Sequence, residues 1–165
     1  MSTWVPPADW YRGLPTKRMA AAVLCRDHAG RVLLVEPTYR DTWDVPGGVV
    51  EADEAPRAAA IREAEEELGV ALDVGRLLVV DWRPADPPRT EVVLFLYDGG
   101  VVDLDPAALV LPAEEIRSAA FVEPDALERR LSSRGLPWVR AGLDALRDGT
   151  VVELDVSPGG SPSTA

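Results

Sequence analysis

Apolar and polar residues along this chain fall into short runs whose period switches between that of a strand and that of a helix. Two apolar runs, 18–26 and 31–36, flank the turn residues Asp27, His28, Ala29 and Gly30, which predicts a β-hairpin. The polar and aromatic stretch 37–43 reads as a loop, and 45–50 as a short extended segment interrupted by Gly47 and Gly48. Pro56, with Asp53 and Glu54 just before it, opens an Ala-rich helix that runs to Leu68 and is stopped by Gly69. Ala58, Ile61 and Leu68 are its expected packing face. Strands are expected at 77–82, 91–97 and 118–122, the first two separated by the proline-rich turn 84–88. Helices are expected at 124–131 and 137–146, the second amphipathic through Val139, Leu143 and Leu146. Alternation of this kind predicts an α/β domain, a mixed sheet with helices on both faces.

At 165 residues the length fits one domain, assigned to residues 17–156. Residues 1–16 form a proline-rich arm whose Trp4, Trp10 and Tyr11 are expected to pack on the body or on a second subunit, which suits a homodimer. Residues 157–165, made of Pro, Gly, Ser, Thr and Ala, are expected to be a disordered tail.

Composition narrows the chemistry. Cys25 is the single cysteine and lies in an apolar run, so it reads as a core thiol in a protein of a reducing compartment. His28, the single histidine, sits in the hairpin turn, which argues against a Ser-His-Asp triad or a His/Cys zinc site. The formal net charge of −11 disfavours nucleic acid polymers and anionic membranes as partners. No apolar segment approaches the roughly 20 residues needed to span a bilayer. The N-terminus lacks the basic-then-apolar layout of a signal peptide, and a cytoplasmic location is expected.

One segment carries the chemistry. On a helix from Pro56 to Leu68, Glu63, Glu66 and Glu67 are related as i, i+3 and i+4 and share a face. Like charges so placed repel, and carboxylates at a helix C-terminus also oppose the helix dipole. A solvated acidic face is the usual meaning of such a run. A hard divalent cation, which takes oxygen ligands and shares its shell with substrate phosphates, is the other reading, and the fixed positions around the acids favour it.

The fixed positions around those acids resemble the Nudix box, written G-x5-E-x7-R-E-U-x-E-E-x-G-U with U a bulky aliphatic residue: Gly48, Glu54, Arg62, Glu63, Glu66, Glu67, Gly69 and Val70 match at the family spacing. Ala64 is smaller than the usual aliphatic residue at its position, a departure that touches packing and not the acids. The preceding stretch 43–48 also resembles the family's lead-in to the box, and the order of elements over about 17–148 agrees. The resemblance implies a Nudix-type α/β/α sandwich and a hydrolase that cleaves the diphosphate of a nucleoside diphosphate linked to another moiety, using metal-activated water. Its implied cofactor is Mg²⁺, with Mn²⁺ able to stand in. By this similarity Glu63, Glu66 and Glu67 bind metal, with the backbone carbonyl of Gly47 as a further ligand, and Arg62 orients Glu54 or one of the triad. The general base is implied to be Glu63 or Glu66, with Glu115, beside Glu114, as second choice.

Arg18, Tyr39, Arg40, Trp43 and Arg83 fall in loops or at strand ends where they could reach phosphate or stack on a base. Each has an ordinary surface or core reading beside that one, and Trp43 could equally lie beneath the box helix. The expected partner is a small nucleotide: ADP-ribose or a nucleotide sugar, a nucleoside triphosphate, or a dinucleoside polyphosphate. Pro84, Pro87 and Pro88 beyond the box lean faintly toward ADP-ribose-like substrates. Two other readings exist on the same fold. A catalytically silent nucleotide-sensing module usually loses box acids, and this chain keeps them all. An allylic diphosphate isomerase wants a cysteine in a substrate loop, where Cys25 does not lie.

Overall fold

The computed structural model describes residues 7–155. A seven-stranded sheet is built from β1 (Arg18–Arg26), β2 (Val32–Pro37), β3 (Gly47–Val49), β4 (Leu77–Arg83), β5 (Val92–Val101), β6 (Ile116–Val122) and β7 (Val152–Asp155). Its order is β6-β2-β1-β5-β4-β7, with β3 also paired to β1. The β1–β5 and β4–β7 pairs are parallel and the rest antiparallel. One edge of β1 is therefore shared: Ala20, Ala21 and Ala22 pair with β3, and Arg26 pairs with Val32 of β2.

β1 is central and its core residues are buried, as expected of a strand covered on both faces. Its alternate residues point to opposite faces. Ala21, Val23 and Cys25 join one apolar cluster, under helix α2 (Pro56–Leu68). Ala22 and Leu24 join the other, under helix α3 (Gly135–Asp148). The result is the α/β/α sandwich with a mixed sheet. The hairpin turn is closed by Asp27, whose Oδ1 accepts hydrogen bonds from the backbone of Ala29 (3.0 Å) and Arg31 (2.9 Å). His28 is exposed on it.

α2 starts at Pro56, whose missing N–H costs nothing in the first turn. It ends where Gly69 turns left-handed at φ 69° and donates its N–H to the Glu65 carbonyl. The buried stripe is Ala60, Ala64 and Leu68, with Ala59 beside it. Ala58, expected on the packing face, is exposed. The i, i+4, i+8 row through Ala60 is the one that meets the sheet, and small residues there let the helix lie close to β1. Ala64 is fully buried in that row, so its small size fits the contact. Leu68 closes the stripe, and truncating it to Ala would cost about 2–5 kcal/mol.

Two further elements differ from expectation, and the N-terminal arm leaves one of its two expected placements. Residues 124–131 do not form an α-helix: Pro124–Arg129 is a 3-10 turn in which Leu127 alone is buried, too little apolar surface to fix a longer helix. β7 was not anticipated, because four residues alternating Val152 and Leu154 with acidic neighbours give a weak pattern; parallel pairing to β4 supplies the rest. The N-terminal arm contributes α1 (Pro7–Arg12), where Trp10 and Tyr11 pack edge-on against each other with 52% and 66% of their surfaces exposed. These two aromatics do not pack into the body of the chain. Trp4 and the expected disordered tail lie outside the described residues. Among those described, no helix is long and apolar enough to cross a membrane.

Candidate active site

The loop from β3 into α2 brings the box together. Gly47 adopts φ 154°, and a side chain there would run into the backbone and methyl group of Ala22. A Cβ on Gly48 would occupy the place of the Glu63 carboxyl group. Both positions are bare because β1 on one side and an acid on the other need the space.

Arg62 is the hub behind this loop. Its Nε and Nη2 donate to the two carboxylate oxygens of Glu54 at 2.9 and 3.0 Å, the two-pronged geometry that suits a guanidinium. Nη1 donates to Glu63 at 2.9 Å and to Glu66 at 3.1 Å, and Nη2 also reaches the Val49 carbonyl at 3.0 Å. The cation holds the Glu54 carboxyl down to about 2. The expected pairing with Glu54 or a triad member is thus present with both.

Glu67 points the other way, into the protein. Its Oε2 accepts the Gly47 N–H at 2.9 Å, and the residue is buried. Burial pushes its carboxyl up to about 8, the negative charges of Glu63, Asp44 and Glu115 push in the same direction, and the Gly47 hydrogen bond works against them. Four carboxylates therefore crowd one region with too little positive charge. That imbalance, on oxygen donors alone, fits a hard divalent cation. Among the described residues, no group of three acids, histidines or cysteines already stands at metal-ligand spacing. Arg62 holds Glu63 and Glu66, and Gly47 holds Glu67, so a cation would be met by turning the first two off the guanidinium.

On the far side of the glycine loop a cavity of about 570 Å³ opens on the α3 face of the sheet. Its floor includes Ala20, Ala22 and Leu94 of β1 and β5, one wall is Gly47–Val49, and the start of α3 adds Gly135 and Trp138. Of the residues expected to meet substrate, Arg18, Tyr39, Arg40 and Arg83 line it. Trp43 does not. Its ring is buried in the α3-side cluster with Arg130 stacked 4.6 Å from its centroid, and its backbone bridges to Leu131. It lies neither in the cavity nor beneath the box helix, which covers the opposite face. Glu115 is exposed outside the cavity lining, near enough to Glu67 for its charge to be felt there.

Sequence reasoning missed Asp44, which bridges the two regions: it lines the cavity, bonds Arg40 at 2.6 Å and adds to the charge on Glu67. It also missed Asp81, two residues before Arg83 on the same strand and paired with it, and Arg89, Arg134 and Trp138 of the cavity lining; chain folding brings Arg134 and Trp138 against Arg83.

A family model described as the NUDIX domain matches residues 16–141. Human diphosphoinositol polyphosphate phosphohydrolase 3-alpha is 42% identical over 81 residues, 48% of this chain and 49% of that protein. The mouse diphosphoinositol polyphosphate phosphohydrolase 2 is 46% identical over 63 residues, 38% and 35% of the two chains. The alignment thus spans about half the length, or less, of these relatives. A MutT NUDIX hydrolase from Burkholderia pseudomallei superposes with TM-score 0.65 at 25% identity, covering 77% of this chain and 98% of the other. A UDP-X diphosphatase superposes with TM-score 0.72 at 21% identity, covering 90% and 73%. The matched residues take in the acid helix, the glycine loop and most of the cavity wall, and the chain belongs to the Nudix family.

Proposed function

We propose that this chain hydrolyses a diphosphate bond in a small phosphorylated substrate, with Mg²⁺, or Mn²⁺ in its place, held by Glu63, Glu66, Glu67 and the Gly47 carbonyl. The observation that carries this reading is the crowding of Glu63, Glu67, Asp44 and Glu115 beside a glycine loop that opens onto an arginine-lined cavity. A bound divalent cation supplies charge neutralisation of the diphosphate and a water of lowered pKa.

The chain's own residues do the rest. Gly47 and Gly48 let the backbone approach the diphosphate closely. Arg62 gathers Glu54, Glu63 and Glu66 around one guanidinium, so that Glu63 and Glu66 need only turn off it to meet a cation. Glu63 or Glu66 takes the proton of the attacking water, with Glu115 the second choice. The arginine-lined cavity beside the loop receives the part of the substrate that lies beyond the scissile bond. The substrate class is a nucleoside diphosphate linked to another moiety: ADP-ribose, a nucleotide sugar, a nucleoside triphosphate or a dinucleoside polyphosphate. The human relative's name adds diphosphoinositol polyphosphates to the candidates. A cytoplasmic location accords with the one buried thiol, and a homodimer with exposed Trp10 and Tyr11.

The test is incubation of the purified chain with Mg²⁺ or Mn²⁺ and a panel of these compounds, products resolved by chromatography. We expect one class to turn over, and Glu67→Gln to lower kcat by about 10²–10³-fold, the scale for loss of one electrostatic group in a site. Glutamine keeps an oxygen to accept the Gly47 N–H and has no charge to bury, so the melting temperature should not fall. No turnover with either metal, together with a melting shift from a panel member, would replace the hydrolase by a ligand-sensing module.

A further inference from the structure

The cavity's charge is opposite to the chain's. In a protein of net charge −11, Arg18, Arg40, Arg83, Arg89 and Arg134 all line it, against one lining acid, Asp44. Three of the five have an aspartate each: Arg40 with Asp44, Arg83 with Asp81, Arg134 with Asp86. Arg18 donates to the Thr90 carbonyl, and neither it nor Arg89 has a carboxylate partner among the described residues. Two uncompensated guanidiniums in one concavity repel each other unless an anion joins them.

The sheet register sets their spacing. Val92 of β5 is the registered partner of Arg18 on β1 and of Arg83 on β4, so the two arginines stand in one row across three strands, about 10 Å apart at the backbone. Arg83 is fixed. Its Nε donates to Asp81 at 2.7 Å, Nη2 donates to the Arg134 carbonyl at 3.0 Å, and its guanidinium lies over the Trp138 ring. Nη1 is left for a ligand. Among the described residues one buried donor nearby, Nε1 of Trp138, has no partner, and Trp138 lines the cavity. A buried donor left unmade is costly, and a cavity ligand would satisfy it. Among the described residues the lining has two aromatics, Tyr39 and Trp138, against five arginines, so the wall is built for phosphate more than for a stacked base.

We propose that the cavity wall formed by Arg18, Arg83, Arg89 and Arg134 is a second anion subsite, which takes a phosphoryl group the substrate carries in addition to its scissile diphosphate. The chain therefore selects multiply phosphorylated small molecules over those whose only phosphates are the diphosphate itself. This rests on the hydrolase reading for the position of the scissile bond, while the subsite itself can be tested without turnover.

The probe is inositol hexakisphosphate, which offers many phosphate monoesters and no diphosphate to cleave, titrated into the full chain by calorimetry in EDTA beside inositol monophosphate. We expect the hexakisphosphate to bind at least tenfold more tightly, and the double variant Arg18→Ala/Arg89→Ala to weaken it by about 10–100-fold, two charge-assisted contacts being lost. The double variant Arg129→Ala/Arg147→Ala removes the same charge from exposed positions outside the cavity and should leave binding unchanged. Melting temperatures of both variants check that they fold. Equal binding of the two inositol phosphates, or equal loss in both double variants, overturns the subsite. In parallel, ADP-ribose and its 2′-phosphate are compared with Mg²⁺: a kcat/KM at least tenfold higher for the 2′-phosphate supports the subsite, and equal values overturn it. If no member of the wider panel is hydrolysed with Mg²⁺ or Mn²⁺ while the calorimetric result holds, the hydrolase reading fails and the subsite stands.

Discussion

Two regions meet at Gly47 and Gly48, and they are encoded in opposite ways. The acid set lies within residues 48–70, on one helix and the loop before it, where helical spacing alone puts Glu63, Glu66 and Glu67 together. The arginine cavity is assembled from β1, the loop after β2, β4, the turn before β5 and the start of α3. Its geometry depends on strand register: Arg18 and Arg83 become neighbours because both align with Val92. The acid region is therefore a short-range motif that any chain could carry. The cavity is a property of the whole fold, and that is where a family shared by many chains can differ in substrate.

The largest way to separate the regions is Gly48→Ala. The added methyl takes the space of the Glu63 carboxyl, while the cavity's arginines are untouched. Displacing a positioned group by about 1 Å can cost about 10²-fold in rate. We expect kcat on the best panel substrate to fall by about that factor, with hexakisphosphate affinity in EDTA within twofold of wild type. If affinity falls with kcat, the two regions are one site and the comparison is wrong.

Trp43 shows why the cavity was only partly legible. Its place beside Tyr39 and Arg40 in a polar loop made it a candidate for stacking on a base. In the fold it belongs to the core, because the bridge from its backbone to Leu131 turns the ring toward Arg130. Sequence spacing reports which residues share a helix face, as it did for the box, but it does not report which side of a loop a ring takes. Arg134 and Trp138 were invisible for the same reason: nothing near them in sequence marks them, and only the return of α3 against β4 sets them by Arg83. We expect Trp43→Phe to lower stability by about 1–3 kcal/mol, measured by urea unfolding, and to leave KM unchanged. A raised KM at unchanged stability would put Trp43 back in the cavity wall.

β1 serves both regions, one on each face. Arg18, Ala20 and Ala22 line the cavity, whereas Ala21, Val23 and Cys25 pack under the box helix. Cys25 gives a way to perturb the second face alone. Its thiol is pushed up to about 12, mainly by burial and then by the charge of Asp98. A thiol raised in the folded state favours folding below its unfolded value near 9, and that contribution is lost as pH rises from there toward 12. At pH 10 the difference should be about 1 kcal/mol. Cys25→Ala lacks the titration, so its deficit against wild type, read from urea unfolding, should change between pH 8 and pH 10. The sign is fixed: wild type, whose folded state cannot bear the thiolate, loses stability relative to the variant at the higher pH. If the deficit is the same at both values, the thiol reaches solvent, and the face beneath the box helix is looser than its packing against Gly99 and α2 implies.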